Sequence, residues 1–381
     1  MSHRILFVIE NLFSLGSAQQ LKVLAGGLVA KGYEVHVAVL GQREFEPTDW
    51  TDLQVKVSFL NGDDKTPLHT IRDGFQVARE LRQLITQTKP EIVHTWCGRA
   101  ELLTLLAVQK YPIMKRLKRF RLISTELYLQ PEKRFTRQFA ENRMSRRVER
   151  MIVPEESAKM HLVENGYREA RISIIPNAVP NCQPVNRFEA KRELIKRLDA
   201  IPQGSKVAGT VATLHHRTRL KDLIWATDLL NCVRDDFHFL IIGSGSQLKR
   251  LKRFAALTES KSRVHFLGHP ESPESLVAGL DFYWHSHLRD PISGNLLAAM
   301  AAGVPAISVL GSATEPIIRH QETGFAVNFG ARDEFARWTK YLIEQTESGE
   351  RLARQGQNHV RAHFEPSKMI DAYVGIYELT S

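Results

Sequence analysis

Three cysteines in 381 residues, Cys97, Cys182 and Cys232, are too few and too far apart for a disulfide framework or a metal-ligand cluster. They read as buried or incidental thiols of a reducing compartment. Long apolar runs are absent as well: none reaches the roughly 18 to 20 residues that a membrane-spanning helix needs. The opening MSHRILFVIEN turns acidic too early for a secretory signal, so a cytosolic chain is expected, and an exported two-domain binding protein is disfavoured. RNA-binding and helix-turn-helix signatures are also missing, which sets nucleic acid aside despite a formal charge of +10.

A hydrophobic content of 43% over 381 residues can fill two cores of ordinary domain size. The positive charge is concentrated, since residues 110–150 hold 13 Lys and Arg against four Glu. Its first part, KYPIMKRLKRFR, interleaves bases with Tyr111, Ile113, Met114, Leu117 and Phe120. That mixture suits an anionic membrane surface or an acidic acceptor, and equally a solvated basic helix and loop.

Short apolar runs alternate with stretches of helical period, the pattern of parallel strands joined by crossover helices. ILFVIE reads as a first strand, and Leu21, Leu24, Ala25, Leu28 and Val29 then share one helix face. Strands follow at VHVAVL, Val55 to Leu60, Glu91 to Trp96, Arg121 to Thr125, Arg150 to Val153 and Ile172 to Ile175. Proline, asparagine and glycine then cluster on both sides of a charged helical stretch, as in a linker. A second series begins at VAGTVATL and continues through FHFLIIG, RVHFLG, DFYWHS, VPAISVL and FAVNF. The expected class is α/β with two Rossmann-like, doubly wound parallel sheets: residues 1–180, a linker at 181–204, and 205–364. A closing helix at about 365–381 has Met369, Tyr373, Ile376 and Tyr377 along one side. Open parallel sheets place ligands at the carboxyl ends of their strands, but that alone fits a nucleotide-sugar enzyme, a binding protein or a dehydrogenase.

The stretch DPISGNLLAAMAAG, Asp290 to Gly303, narrows the choice. It resembles the E-x7-E segment of retaining glycosyltransferases of family 4, usually written E-G-F-G-L-P-x-L-E-A-M-A-x-G. Aligned on A-M-A-x-G, the first glutamate becomes Asp290 and the second Ala298. The match continues through GVPAIS, GSATEPII and ETGFAV, with Glu315 where the family's P-E glutamate stands. Gly16-Ser17-Ala18-Gln19 resembles the family's G-G-A-E loop, RISIIPNAV its I-P-N-G-V-D, and RVHFLGH its R-V-x-F-L-G. VATLHHRTRLKDLIWA resembles G-R-L-x-x-x-K-G-x-x-x-L-L-x-A, with Thr213 and Thr218 at the arginine and lysine positions.

The resemblance covers almost the whole chain and implies a GT-B fold of two facing domains, with the last helix crossing back onto the first. It implies transfer of a sugar from a nucleotide-diphosphate sugar to a glycan, glycolipid or small glycoside, with retention and with neither a required metal nor a cofactor. In the family the first glutamate bonds the donor sugar, the second the ribose diol, and the arginine and lysine neutralise the departing diphosphate. Carried onto this chain, Asp290 orients the sugar from a side chain shorter by roughly 1.5 Å, and Ala298 holds no diol. Each lost charged hydrogen bond costs roughly 1.5–3 kcal/mol. The amides of Gly16, Ser17, Ser293, Gly294, Asn295 and Leu296 remain to bind phosphate at helix starts, and Arg217, Arg219 or Lys221 stands in for the missing cations. The family's donor-contacting histidine falls on Leu127, or on Glu126 with a one-residue slip. His94 in EIVHTW is the nearest alternative imidazole. The reading is a divergent glycosyltransferase of cell envelope polysaccharide, glycolipid or small-glycoside assembly, at the inner face of the membrane if the basic window meets lipid. Its rival is an inactive relative that binds a sugar, lipid or protein partner.

Overall fold

The computed structural model describes residues 3–12, 16–41, 48–60, 71–109, 120–127, 147–180, 186–198, 201–268, 273–287, 293–311 and 313–379. Most of the basic window 110–150, together with Cys182 and Asp290, lies outside them. The chain divides into two compact units, Met1–Phe13 with Ser17–Asn177 and Pro366–Ser381, and Ser14–Gly16 with Ala178–Glu365. Each is an α/β sandwich around one parallel sheet, as the alternating pattern predicts.

The first unit has the strand order β3-β2-β1-β4-β5-β6-β7. Its strands are β1 (Arg4–Ile9), β2 (Glu34–Val39), β3 (Lys56–Phe59), β4 (Ile92–Trp96), β5 (Arg121–Thr125), β6 (Arg150–Val153) and β7 (Ile172–Ile174). Its helices are α1 (Ser17–Ala30), α2 (Thr48–Thr51), α3 (Ile71–Thr88), α4 (Gly98–Gln109) and α5 (Glu156–Glu164). Every residue of β1 after Arg4 is buried, because helices cover both faces of a parallel sheet and its inner strands become continuous apolar runs. Leu6, Val8, Val77, Leu81, Val93 and Leu122 form the core of one face.

The second unit has the order β10-β9-β8-β11-β12-β13. Its strands are β8 (Lys206–Val211), β9 (Phe237–Ile242), β10 (Val264–Gly268), β11 (Phe282–His285), β12 (Ala306–Val309) and β13 (Phe325–Val327). The helices are α6 (Arg187–Arg197), α7 (Leu220–Asn231), α8 (Leu248–Ala255), α9 (Pro273–Ala278), α10 (Gly294–Ala301), α11 (Arg332–Glu344) and α12 (Thr346–His363). Side chains of β9 alternate between layers: Phe237, Phe239 and Ile241 join Leu223, Trp284 and Phe335, while Leu240 and Ile242 join Tyr283, Leu296 and Met300.

The closing helix α13 (Pro366–Glu378) belongs to the first unit. Met369, Ile370, Tyr373, Ile376 and Tyr377 are buried at helical spacing, and α1 approaches so closely that a Cβ on Gly27 would overlap the Ile370 side chain. The Arg121 guanidinium, paired with Glu149, donates to the Tyr377 and Ile376 carbonyls at 2.5 and 3.0 Å and so caps the helix end. Among the described residues no helix is long and apolar enough to cross a membrane.

Candidate functional site

In each sheet the strand order reverses once, between β1 and β4 and between β8 and β11, the place where open parallel sheets bind ligands beyond the carboxyl ends of their strands. In the second unit β8 and β11 are parallel neighbours, with Phe282 opposite Ala208 and Tyr283 opposite Gly209. A Cβ on Gly209 would lie 2.7 Å from Leu280, so the glycine keeps this junction tight. Beyond β8 the chain makes a short 3-10 turn, His216–Thr218, in which the buried Thr218 hydroxyl donates to the His215 carbonyl at 2.7 Å. The Ser286 hydroxyl, just after β11, donates to the Thr218 carbonyl at 2.5 Å, and the Asn295 amide reaches the Val211 carbonyl at 3.4 Å. The loop after β8, the end of β11 and the start of α10 are thus tied together.

Ser293 caps α10, its hydroxyl accepting from the Leu296 amide at 3.4 Å. Gly294, Leu296 and Ala298 are buried and Asn295 is half-buried. Asp290 and Ile292 lie outside the described residues. Glu315 is exposed on the turn after β12, where its amide donates to the Gly311 carbonyl at 2.9 Å and Thr314 bonds both Gly311 and Val309.

The three cations named from sequence have separate fates. Arg217 is exposed on the 3-10 turn, and its side chain has no partner among the described residues. Arg219 adopts a left-handed backbone (φ 49°), and its guanidinium pairs with Asp222 while lying 4.6 Å over the Phe329 ring. Arg332 donates to the other oxygen of the same buried carboxylate at 2.9 Å. Lys221 is exposed with its ammonium 5.0 Å from the Phe254 ring. Thr213 is exposed. His285 and His287, buried with ring centroids 4.9 Å apart at the end of β11, were overlooked in the sequence, as was Asp222. For Asp222 the signal was present, an acid three residues after an arginine.

Gly16 takes φ 74° just before α1, and in the first unit the carbonyl of Ser17 accepts from the Trp96 indole at 3.0 Å. His94 needs correction as a site imidazole: it is enclosed within the first unit. It lies mid-strand on β4 with no exposure, its Nδ1 2.6 Å from the Tyr377 hydroxyl and its Nε2 2.8 Å from Thr125 Oγ1. Burial pulls its pKa down to about 3, so a neutral ring serves the core. Leu127 is buried and Glu126 half-buried at the end of β5, the Glu126 amide donating to the Ile152 carbonyl at 2.9 Å. A further pair escaped the sequence reading: Glu10, after β1, meets Arg99 at 2.6 Å beside the carboxyl end of β4. Cys97 follows β4 with φ 76°, its thiol pushed well up by burial and then by the Glu126 carboxylate. No cluster of three or more His, Cys, Asp or Glu side chains able to hold a metal occurs among the described residues.

Two doubly wound parallel-sheet units, each with its loops at a strand-order reversal, define the GT-B class of fold. The family model for glycosyl transferases group 1 matches residues 191–359, and that for glycosyltransferase family 4 matches residues 16–181. The chain belongs to the group 1 glycosyltransferases. It is 25% identical over 134 residues to the lipopolysaccharide core biosynthesis glycosyltransferase LpsE of Rhizobium meliloti, covering 35% of this chain and 39% of that one. It is 23% identical over 193 residues to N-acetyl-alpha-D-glucosaminyl L-malate synthase of Bacillus anthracis, half of each chain. The chain thus spans half or less of the length of these two curated relatives. Among solved structures it is similar to Anabaena Alr3699/HepE in complex with UDP and glucose (TM-score 0.82, 16% identity, 99% of this chain and 100% of that one). It is also similar to sucrose-phosphate synthase of Thermosynechococcus elongatus (TM-score 0.79, 15% identity, 98% of each chain).

Proposed function

We propose that this chain is a glycosyltransferase that moves a sugar from a nucleotide-diphosphate sugar to an acceptor, with retention and without a metal or cofactor. The carrying observation is that the turn bearing Arg217 and the start of α10 are each fastened at the β8–β11 junction, the turn through Ser286 to Thr218 and α10 through Asn295 to Val211 at the end of β8. The α10 start offers the amides of Gly294 and Asn295, the Leu296 amide being taken by the Ser293 hydroxyl, and Arg217 an exposed charge, which together would suit a diphosphate whose negative charge grows as the sugar leaves. Asp290 would orient the sugar and Glu315 a donor hydroxyl. Relatives crystallised with UDP and UDP-glucose support a uridine donor, and LpsE supports an envelope acceptor such as a lipid-linked glycan. Such an acceptor would place the chain in the cytoplasm at the inner face of the membrane, with residues 110–150 meeting its acidic or lipid part.

Calorimetry with UDP-, GDP- and ADP-sugars tests this. Micromolar binding of one donor, with nucleotide release when an acceptor extract is added, is the expected result. Binding without release selects the inactive relative, and no binding by any of the three refutes the site. Ala298→Glu restores a carboxylate toward the ribose and should tighten the nucleotide about tenfold or more, the worth of one charged hydrogen bond. Unchanged affinity would show that position 298 does not face the ribose.

A further inference from the structure

Helices α7 and α8 lie side by side on one layer of the second sheet, with the Trp225 and Phe254 rings 6.3 Å apart. Helix α8, LKRLKRFA, is sharply two-sided: Leu251 and Ala255 are buried, with Leu248 and Phe254 packed beside them, while Lys249, Arg250, Lys252 and Arg253 are exposed. Residues 248–263 hold six cations and a single acid, Glu259. Lys221 adds a further charge at the start of α7.

Beside this basic face runs an apolar one. Trp225 and Leu229 on α7 and Val233 just beyond it follow at four-residue intervals and are 39%, 41% and 62% exposed. Leu257, in the turn after α8, is 80% exposed. The two turns are fastened together: Asp228 accepts from the Ser260 amide at 3.0 Å, Asn231 donates to the Ser260 hydroxyl at 3.0 Å, and Arg263 donates to Asn231 at 2.9 Å. Leu257 is thereby held near the Leu229 and Val233 end of the stripe, and the Asp228 carboxylate is occupied within the fold.

We propose that this face docks on an anionic membrane surface. The charge selects the partner: a row of lysines and arginines repels a second copy of the same face but attracts acidic headgroups, while Trp225, Leu229, Val233 and Leu257 enter the interfacial layer. Tryptophan suits that boundary because its ring is apolar and its N–H polar. Aliphatic side chains would gain nothing from a nucleic acid, which offers phosphates and stacking faces. Crossover helices run antiparallel to the strands they join, so Val233 and Leu257 sit toward the amino ends of the sheet. The loops of the proposed donor site leave its carboxyl ends and stay open in the docked state.

The full chain is sedimented with phosphatidylcholine vesicles with and without phosphatidylglycerol, an anionic lipid that gives the vesicle a negative surface potential, and Trp fluorescence is quenched with brominated lipid. Each cation at the surface contributes about fivefold. Lys249→Glu, Arg250→Glu, Lys252→Glu and Arg253→Glu together should therefore lower binding to the anionic vesicles by about a hundredfold or more at unchanged melting temperature. Brominated lipid should quench the wild type more than Trp225→Phe. If the fourfold variant does not fold, the single Lys→Gln and Arg→Gln changes and the quenching comparison decide. Failure of the wild type to bind anionic vesicles overturns the proposal. So does undiminished binding by the variants, which would assign the contact elsewhere, such as residues 110–121. Equal quenching of wild type and Trp225→Phe also overturns it, since an acidic soluble partner would satisfy charge alone. None of these readouts depends on donor binding, so the proposed activity stands or falls separately.

Discussion

Replacing Arg219 and Arg217 separately should give opposite phenotypes, although the two cations are only two residues apart. Arg219 is one of two guanidiniums on the Asp222 carboxylate, whose side chain is only 9% exposed. Arg219→Ala removes a charged hydrogen bond to a buried acid, worth about 1.5–3 kcal/mol, and a cation–π contact with Phe329 worth about 0.5–1 kcal/mol. Two effects reduce the loss: Arg332 stays on Asp222, and the arginine is itself partly exposed. A net destabilisation of about 2 kcal/mol lowers the melting temperature by about 4–8 °C for a unit of this size. Arg217 has no such partner, so Arg217→Ala should leave stability within about 0.5 kcal/mol. It should weaken donor binding about ten- to a hundredfold, as a charged hydrogen bond to the diphosphate is lost. Thermal melts paired with calorimetry against the donor found by screening separate the two effects. Lost affinity at unchanged melting temperature in Arg219→Ala, or full affinity in Arg217→Ala, refutes this division of roles.

Two other perturbations test the folded frame. Gly243 has φ 137°, and a Cβ there would fall on the Ala212 carbonyl oxygen; Gly268, its partner at 2.7 Å, has φ 73° and open space around it. Gly243→Ala should cost more than about 3 kcal/mol or abolish soluble expression, whereas Gly268→Ala should cost about 1–2 kcal/mol; urea titrations giving equal losses would contradict the packing. His94, at about 3 when folded and near the ordinary 6.5 when unfolded, binds its proton more readily in the unfolded chain. Its contribution is intact above pH 6.5 and drains away as pH falls toward 3, with a slope of at most about 1.4 kcal/mol per pH unit. His265, held at about 4 by burial and by neighbouring His238, acts in the same direction. His94→Leu should be less stable at pH 7 yet lose stability less steeply between pH 6.5 and 4 by urea denaturation, and an unchanged slope would place that proton uptake elsewhere.

The sheets were legible because a strand buried on both faces has no option but a continuous apolar run, as in ILFVIE and FHFLII. The placement of His94 was not, because it depends on α13 arriving from 283 residues downstream to cover β4. The fate of Arg219 was half legible: Asp222 is three residues away, but Arg332 joins it across 110 residues. Thr218 uses its hydroxyl to close the 3-10 turn and its carbonyl to receive Ser286. The threonine hydroxyl closes the turn onto the His215 carbonyl, whereas the tie to the end of β11 runs through the main-chain carbonyl of residue 218 and would be open to any side chain there. Positive charge persists one residue earlier at Arg217, exposed and uncommitted to any described partner. The 3-10 turn thus has a fastened residue, Thr218, next to an exposed cation, Arg217, which is why the Arg217→Ala variant tests anion binding without disturbing the turn.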